Sequence, residues 1–153
     1  MSAEGPPTVA WLADPLLRSV LLTLWLLPCA IQDRRTRHVS NWLTVPLFLL
    51  AWPVAILTDH FALTFAVFVG VYVAWRLEPR VGATDGKLMV GMAAFAPLGL
   101  GLGVLLEAAV FIARRLRGWR DTAIPGALWL YLGCVLSAGI SSLQAIVALA
   151  LFR

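Results

Sequence analysis

Long apolar runs alternate with short polar stretches along the whole chain. Most of the runs are near or somewhat below the roughly 20 residues that an α-helix needs to cross a bilayer. The six apolar runs cover residues 16–31, 42–57, 61–75, 88–98, 101–113 and 126–152. This pattern predicts an all-α fold, a polytopic membrane helical bundle with about six transmembrane helices.

The positions of the basic residues support six spans. Cytoplasmic loops of membrane proteins are enriched in Lys and Arg, and here every second loop is basic. The residues concerned are Arg34, Arg35, Arg37, Arg76, Arg80, Lys87, Arg114, Arg115, Arg117 and Arg120. Merging the runs 88–98 and 101–113 into one helix would move the last four arginines to the other side. We therefore expect a helix break between Pro97 and Gly101, and a multi-pass protein of the cytoplasmic (inner) membrane.

Composition excludes an ordinary soluble domain. Hydrophobic residues make up 61% of the 153 residues, charged residues only 13%, and the mean hydropathy is +0.87. Soluble domains carry about a quarter charged residues. We expect a single membrane-embedded domain over residues 1–153, with the lipid bilayer as its main partner. The net charge of +4 belongs to the loops, so it does not indicate a nucleic-acid partner.

Cysteine usage gives no sign of a metal centre. Cys29 and Cys134 lie inside apolar runs, with no His or Cys nearby at ligand spacing. We therefore predict no metal site and no cofactor.

Three acidic residues stand out because an unpaired charge in hydrocarbon is costly. Asp33 ends the first apolar run, and Asp85 precedes the fourth. In the predicted topology both reach the cytoplasmic edge of the bundle, where they can face each other. Glu107 lies within the fifth run and needs a polar cavity or a partner, which the sequence does not identify.

The residues around the two aspartates form motifs. The chain reads DRRTRHVSNWLT from Asp33 to Thr44 and GATDGKL from Gly82 to Leu88. In these two segments the chain resembles the type IV prepilin peptidases. These are membrane aspartic proteases with motifs close to D-x-R-x-x-x-I-P-N-x-L-T and G-x-G-D-x-K-L. The segment from Ile124 to Ala127 is similar to the family's I-P-F-G segment before the last span. The other positions that match are Arg35, Asn41, Leu43, Thr44, Gly82, Lys87 and Leu88.

The resemblance implies a function and a set of site residues. It implies that Asp33 and Asp85 are a catalytic pair that activates water, with supporting or substrate-positioning roles for Arg35, Asn41, Gly82 and Lys87. The implied substrate is a prepilin or pseudopilin whose basic leader is removed at the cytoplasmic membrane face. The chain resembles the compact class, similar to peptidases of tight-adherence pili, without the large cytoplasmic insertion and its CxxC pairs. The amino-methylating activity of longer relatives is therefore not implied, and no oligomeric state is predicted.

Two positions depart from the motifs and leave alternatives open. Ser40 replaces a proline, which we expect to loosen the turn before the second helix. Thr84 replaces the second glycine of G-x-G-D, which is costly if that position needs a positive φ. The alternatives are a non-enzymatic membrane scaffold of a pilus or secretion assembly, and a small proton-coupled carrier that uses Asp33, Asp85 and Glu107.

Overall fold

A computed structural model describes residue 12 and residues 14–77, 82–118 and 125–151. Six α-helices lie in this described part and confirm the predicted all-α bundle. They are α1 (Pro15–Thr36), α2 (Asn41–Leu57), α3 (Phe61–Leu77), α4 (Ala83–Phe95), α5 (Pro97–Leu116) and α6 (Gly126–Leu151). Arg80 and Arg120 of the basic loops, and Ile124 of the third motif, lie outside the described residues.

The outer surface of the bundle is apolar. Large hydrophobic side chains point outward along the helices, and Leu24, for example, is 63% exposed. Soluble proteins rarely leave such extended apolar surface in water. Three helices, α1, α5 and α6, are long and apolar enough to cross a membrane. The chain is therefore a membrane protein.

Two groups of helices build the bundle. α4 packs mainly against α2 and α3, whereas α6 packs mainly against α1 and α5. The groups meet in a common core that contains Leu26 of α1, Met92 of α4 and Leu130 of α6, all nearly inaccessible. Side chains from both groups can therefore meet inside the bundle.

α4 is short and largely enclosed. Its 13 residues span only about 20 Å, and its second half is buried from Val90 to Ala94. The helix stops at Ala96, whose φ of −146° is not helical. The carbonyl oxygen of Ala94 lies 3.1 Å from Nδ1 of His60, the residue just before α3. His60 thus provides a hydrogen-bonding partner for the end of a helix that stops inside the bundle.

The predicted break between the fourth and fifth helices is confirmed, but it lies at Ala96 and not between Pro97 and Gly101. Pro97 is the first residue of α5, a position where the fixed φ of proline suits a helix. Gly99 lies inside α5 against α6, where a β-carbon would be 3.1 Å from the α-carbon of Cys134. The glycines of this segment therefore permit close helix packing.

One end of the bundle collects the motif residues and the basic residues. α2 and α4 run in the same direction, because Asn41 pairs with Lys87 and Leu47 contacts Gly91. The start of α6 meets the end of α1 there, and basic residues occupy the last turns of α1, α3 and α5. This is the end that the predicted topology places on the cytoplasmic side.

Candidate active site

Asp33 is directed into the bundle by its position on α1. Leu22, Leu26, Cys29 and Asp33 follow each other at steps of four, three and four residues and are all buried, as expected of one helix face. Asp33 is only 7% exposed. Its Oδ2 accepts a hydrogen bond of 3.0 Å from the backbone N–H of Ala127 in the first turn of α6. The buried carboxylate is therefore held by a helix N-terminus, where negative charge is favoured.

Asp85 reaches the same place from α4. It lies in the first turn of that helix, and its carboxylate is packed against two glycines. A β-carbon at Gly126 would lie 2.9 Å from its Oδ2, and one at Gly82 would lie 3.2 Å from the same atom. A side chain at either position would crowd the carboxylate. The motif residue Gly82 therefore leaves room for Asp85.

The two carboxylates converge on consecutive residues of α6. Asp85 packs against Gly126 and Asp33 binds the N–H of Ala127, although 52 positions separate the aspartates in the sequence. The negative charge of Asp33 also acts on Asp85. A pair of neighbouring carboxyl groups tends to share one proton, so the site contains one potential proton acceptor and one potential proton donor.

Asn41 and Lys87 connect the two motifs. Nζ of Lys87 donates a hydrogen bond of 2.9 Å to Oδ1 of Asn41. This contact ties the start of α2 to the first turns of α4 and therefore to the helix that carries Asp85. Two of the residues expected to support the site thus pair with each other.

We expect the Asn41 and Lys87 side chains to be energetically coupled. Asn41→Ala and Lys87→Ala should each destabilise the protein, and the double variant should be less destabilised than the sum, with a coupling of about 1 kcal/mol. Thermal unfolding of the four proteins in one detergent measures this cycle. Strictly additive losses would contradict the pairing.

Arg35 lies away from the carboxylates. It is exposed, and it follows Asp33 by two residues, a spacing that turns side chains to different faces of a helix. Arg35 instead lines an open groove of about 420 Å³ with Trp42 and Leu43. The structure brings together Asp33, Asp85 and Gly82, and it does not bring Arg35 to them.

Both departures from the motifs are accommodated locally. The Ser40 N–H, which proline lacks, donates a hydrogen bond of 2.9 Å to Oε1 of Gln32, and its side chain caps α2 by accepting from the N–H of Trp42. These contacts hold the turn that we expected to be loose. Thr84 lies inside α4, and the residues other than glycine with positive φ in the described chain are Arg37 and Asp59. Thr84 therefore pays no penalty for a positive φ.

Glu107 is a third carboxylate near this site. Its charge acts on Asp85, and that of Asp33 acts on Glu107. The sequence contained one signal for this placement, because Gly99, Gly103 and Glu107 repeat every four residues and so share one helix face. This spacing alone does not show which helix packs on that face.

Comparison with known proteins supports the resemblance seen in the motifs. Neither the curated proteins nor the solved structures include a match to this chain. The model of the type IV leader peptidase family matches residues 20–114, which is more than half of the chain and includes both aspartates. The chain therefore belongs to the type IV leader peptidase family, a family of peptidases.

Proposed function

We propose that this protein is a membrane aspartic endopeptidase that removes the basic leader from a type IV prepilin or pseudopilin. Asp33 and Asp85 are the catalytic pair. The observation that carries the proposal is their convergence on Gly126 and Ala127 at the start of α6. Membership of the leader peptidase family agrees with this activity.

Two carboxyl groups suffice for peptide hydrolysis when one is ionised and the other protonated. The ionised group removes a proton from water, whose oxygen attacks the scissile carbonyl carbon, while the protonated group donates to the carbonyl oxygen. The tetrahedral intermediate then collapses and the C–N bond breaks. The proton taken from water passes from the first carboxyl group to the leaving amine, and one hydroxyl group of the intermediate returns its proton to the second carboxylate, which restores the starting state of the pair. No metal or cofactor enters this scheme.

The contacts of the two aspartates favour different roles. A backbone N–H can only donate, so the hydrogen bond from Ala127 to Asp33 suits an ionised carboxylate at the positive end of a helix. Asp85 packs against Gly82 and Gly126 and feels the negative charge of Asp33. We therefore assign Asp33 as the base and Asp85 as the acid.

The charge distribution fits a site at the cytoplasmic face of the inner membrane. The last turns of α1, α3 and α5 carry basic residues and lie at the same end of the bundle as the aspartates, as the positive-inside rule requires of a cytoplasmic end. A prepilin whose hydrophobic helix lies in the bilayer would place its leader on this side. The junction between leader and helix then reaches Asp33 and Asp85.

Co-expression with a prepilin from the same genome tests the activity. The host should lack its own prepilin peptidase, and cells with an empty vector are the control. We expect a size shift of the prepilin and, by mass spectrometry, a single new N-terminus where the hydrophobic helix begins. An uncut prepilin would favour the scaffold alternative, and proton-dependent solute uptake by reconstituted liposomes would favour the carrier.

Restoring the motif glycine should not increase activity. Because Thr84 is helical in α4, we expect Thr84→Gly to cleave the prepilin at an unchanged initial rate. The variant should lose up to about 1 kcal/mol of stability, since glycine is a poorer helix former. Initial rates and thermal unfolding measure both effects. A large gain in rate would mean that catalysis needs a backbone at position 84 that only glycine adopts.

A further inference from the structure

We propose that Glu107 determines leader specificity by binding a Lys or Arg side chain of the leader beside the scissile bond. This inference rests on the peptidase function proposed above. It assigns a role to a carboxylate that the hydrolytic scheme does not use. Glu107 is then a substrate-binding residue, and the positive charge of the leader is what it recognises.

The packing of α5 against α6 fixes the position of Glu107. Gly99 lies against Cys134, and Gly103 lies against Leu130. The two helices are therefore antiparallel, and each step of four residues along α5 matches a step of four residues back along α6. The next step in this antiparallel register brings Glu107 opposite Gly126. Gly126 is the residue against which the Asp85 carboxylate packs. This placement of Glu107 beside the catalytic pair follows from helix geometry alone.

The register of α5 on α6 gives Glu107 the same depth in the bundle as Gly126 and the Asp85 carboxylate that packs against it. α5 continues from Glu107 to Leu116, and nine further residues of helix extend about 13 Å. The side chain is half-buried, so a residue of a bound peptide can reach it.

The electrostatic surroundings of Glu107 favour a cation from the substrate. Its half-buried carboxylate experiences the negative charge of Asp33, and its own charge acts on Asp85. Asp33 is already held by the N–H of Ala127, and Asp85 has to carry the catalytic proton. Glu107 remains as the carboxylate that can accept a charge-assisted hydrogen bond from substrate.

The basic residues around the site make Glu107 the group that attracts a basic leader. Arg34, Arg35 and Arg37 surround the end of α1, and the last turn of α5 is also basic. These arginines repel a leader of positive charge. The arginines outside the site repel the basic leader, whereas Glu107 within the site attracts it. This difference selects the register in which the peptide binds.

A charge-swap experiment tests this role. Purified protein in detergent would be given three prepilins that differ only in the leader, with its Lys and Arg residues intact, replaced by Gln, or replaced by Glu. For Glu107→Gln we expect the ratio of kcat/KM for the basic leader to that for the neutral leader to fall about tenfold, mainly through KM. For Glu107→Lys we expect the acidic leader to be cleaved faster than the basic one.

Each outcome bears on this inference separately from the proposed function. An unchanged preference in both variants, or an equal loss for all three leaders, would overturn the role of Glu107 while the parent protein still cleaves. Failure of the parent to cleave any leader would instead contradict the proposed function. Thermal unfolding of both variants, together with the activity of Glu107→Lys on the acidic leader, reports whether they are folded.

Discussion

Asp33→Asn and Asp85→Asn are each expected to reduce prepilin cleavage by at least about a thousandfold. Asparagine has nearly the shape of aspartate but neither accepts a proton from water nor donates one as an acid. In Asp33→Asn the side-chain amide oxygen would still accept the N–H of Ala127, so this variant should remain folded. The size shift of a co-expressed prepilin and initial rates with purified protein measure the loss.

Asp59→Asn provides a matched control for these two variants. Asp59 lies in the turn between α2 and α3, at the other end of the bundle from the catalytic pair, and its φ is +58°. Asparagine tolerates this left-handed conformation well, so cleavage should stay at the parent rate. Full activity in Asp33→Asn or Asp85→Asn, with unfolding temperatures close to that of the parent, would refute the catalytic pair.

Gly133→Ala is expected to destabilise the bundle by about 3 kcal/mol, near the upper end of the usual range for overpacking. A β-carbon at Gly133 would overlap the backbone N of Gly103 and the carbonyl O of Gly99 in α5. Backbone atoms cannot rotate away as a flexible side chain can, so α5 and α6 would have to separate. The start of α6 holds both aspartates, and cleavage should therefore fall together with stability.

Gly139→Ala makes the same chemical change six residues later in α6, where a β-carbon has no neighbour within 4 Å. This variant should be as stable as the parent or up to about 1 kcal/mol more stable, because alanine is the better helix former. Thermal unfolding in one detergent compares the two variants directly. Equal unfolding temperatures for Gly133→Ala and Gly139→Ala would contradict the close approach of α5 and α6.

Much of the fold was predictable because hydrophobic runs and charged loops follow simple physical rules. A chain that crosses a bilayer must satisfy its backbone hydrogen bonds internally, which favours helices. The distribution of Lys and Arg among the loops gave their number, and the structure confirms a bundle of six helices in the described residues. The motifs around Asp33 and Asp85 identified the family correctly. Their topology also predicted that the two aspartates lie at the same end of the bundle, as they do. The catalytic roles of these residues remain predictions.

What the sequence left unresolved depends on helix packing. The segment between Pro97 and Gly101 was predicted to be a helix break. The structure instead places Gly99 inside α5, where it allows close packing against α6, and the sequence does not show this packing. Arg35 belongs to the motif in the sequence, but the helical turn directs it away from Asp33. The sequence showed Glu107 only as a charge within an apolar run. The contacts of Gly99 with Cys134 and of Gly103 with Leu130 give the register that, extended by one step, brings Glu107 opposite Gly126.

The shortness of α4 has a consequence for how the protein is made. A helix of 13 residues that includes Asp85 and Lys87 is too short and too polar to enter a bilayer by itself. It needs the packing of α2 and α3 around it. The contacts of Asp85 with Gly126 and of Asp33 with Ala127 form only after α6 has been synthesised and has packed into the bundle. Under the proposed function, a growing chain therefore cannot hydrolyse peptides until α6 has been made and packed against the rest of the bundle.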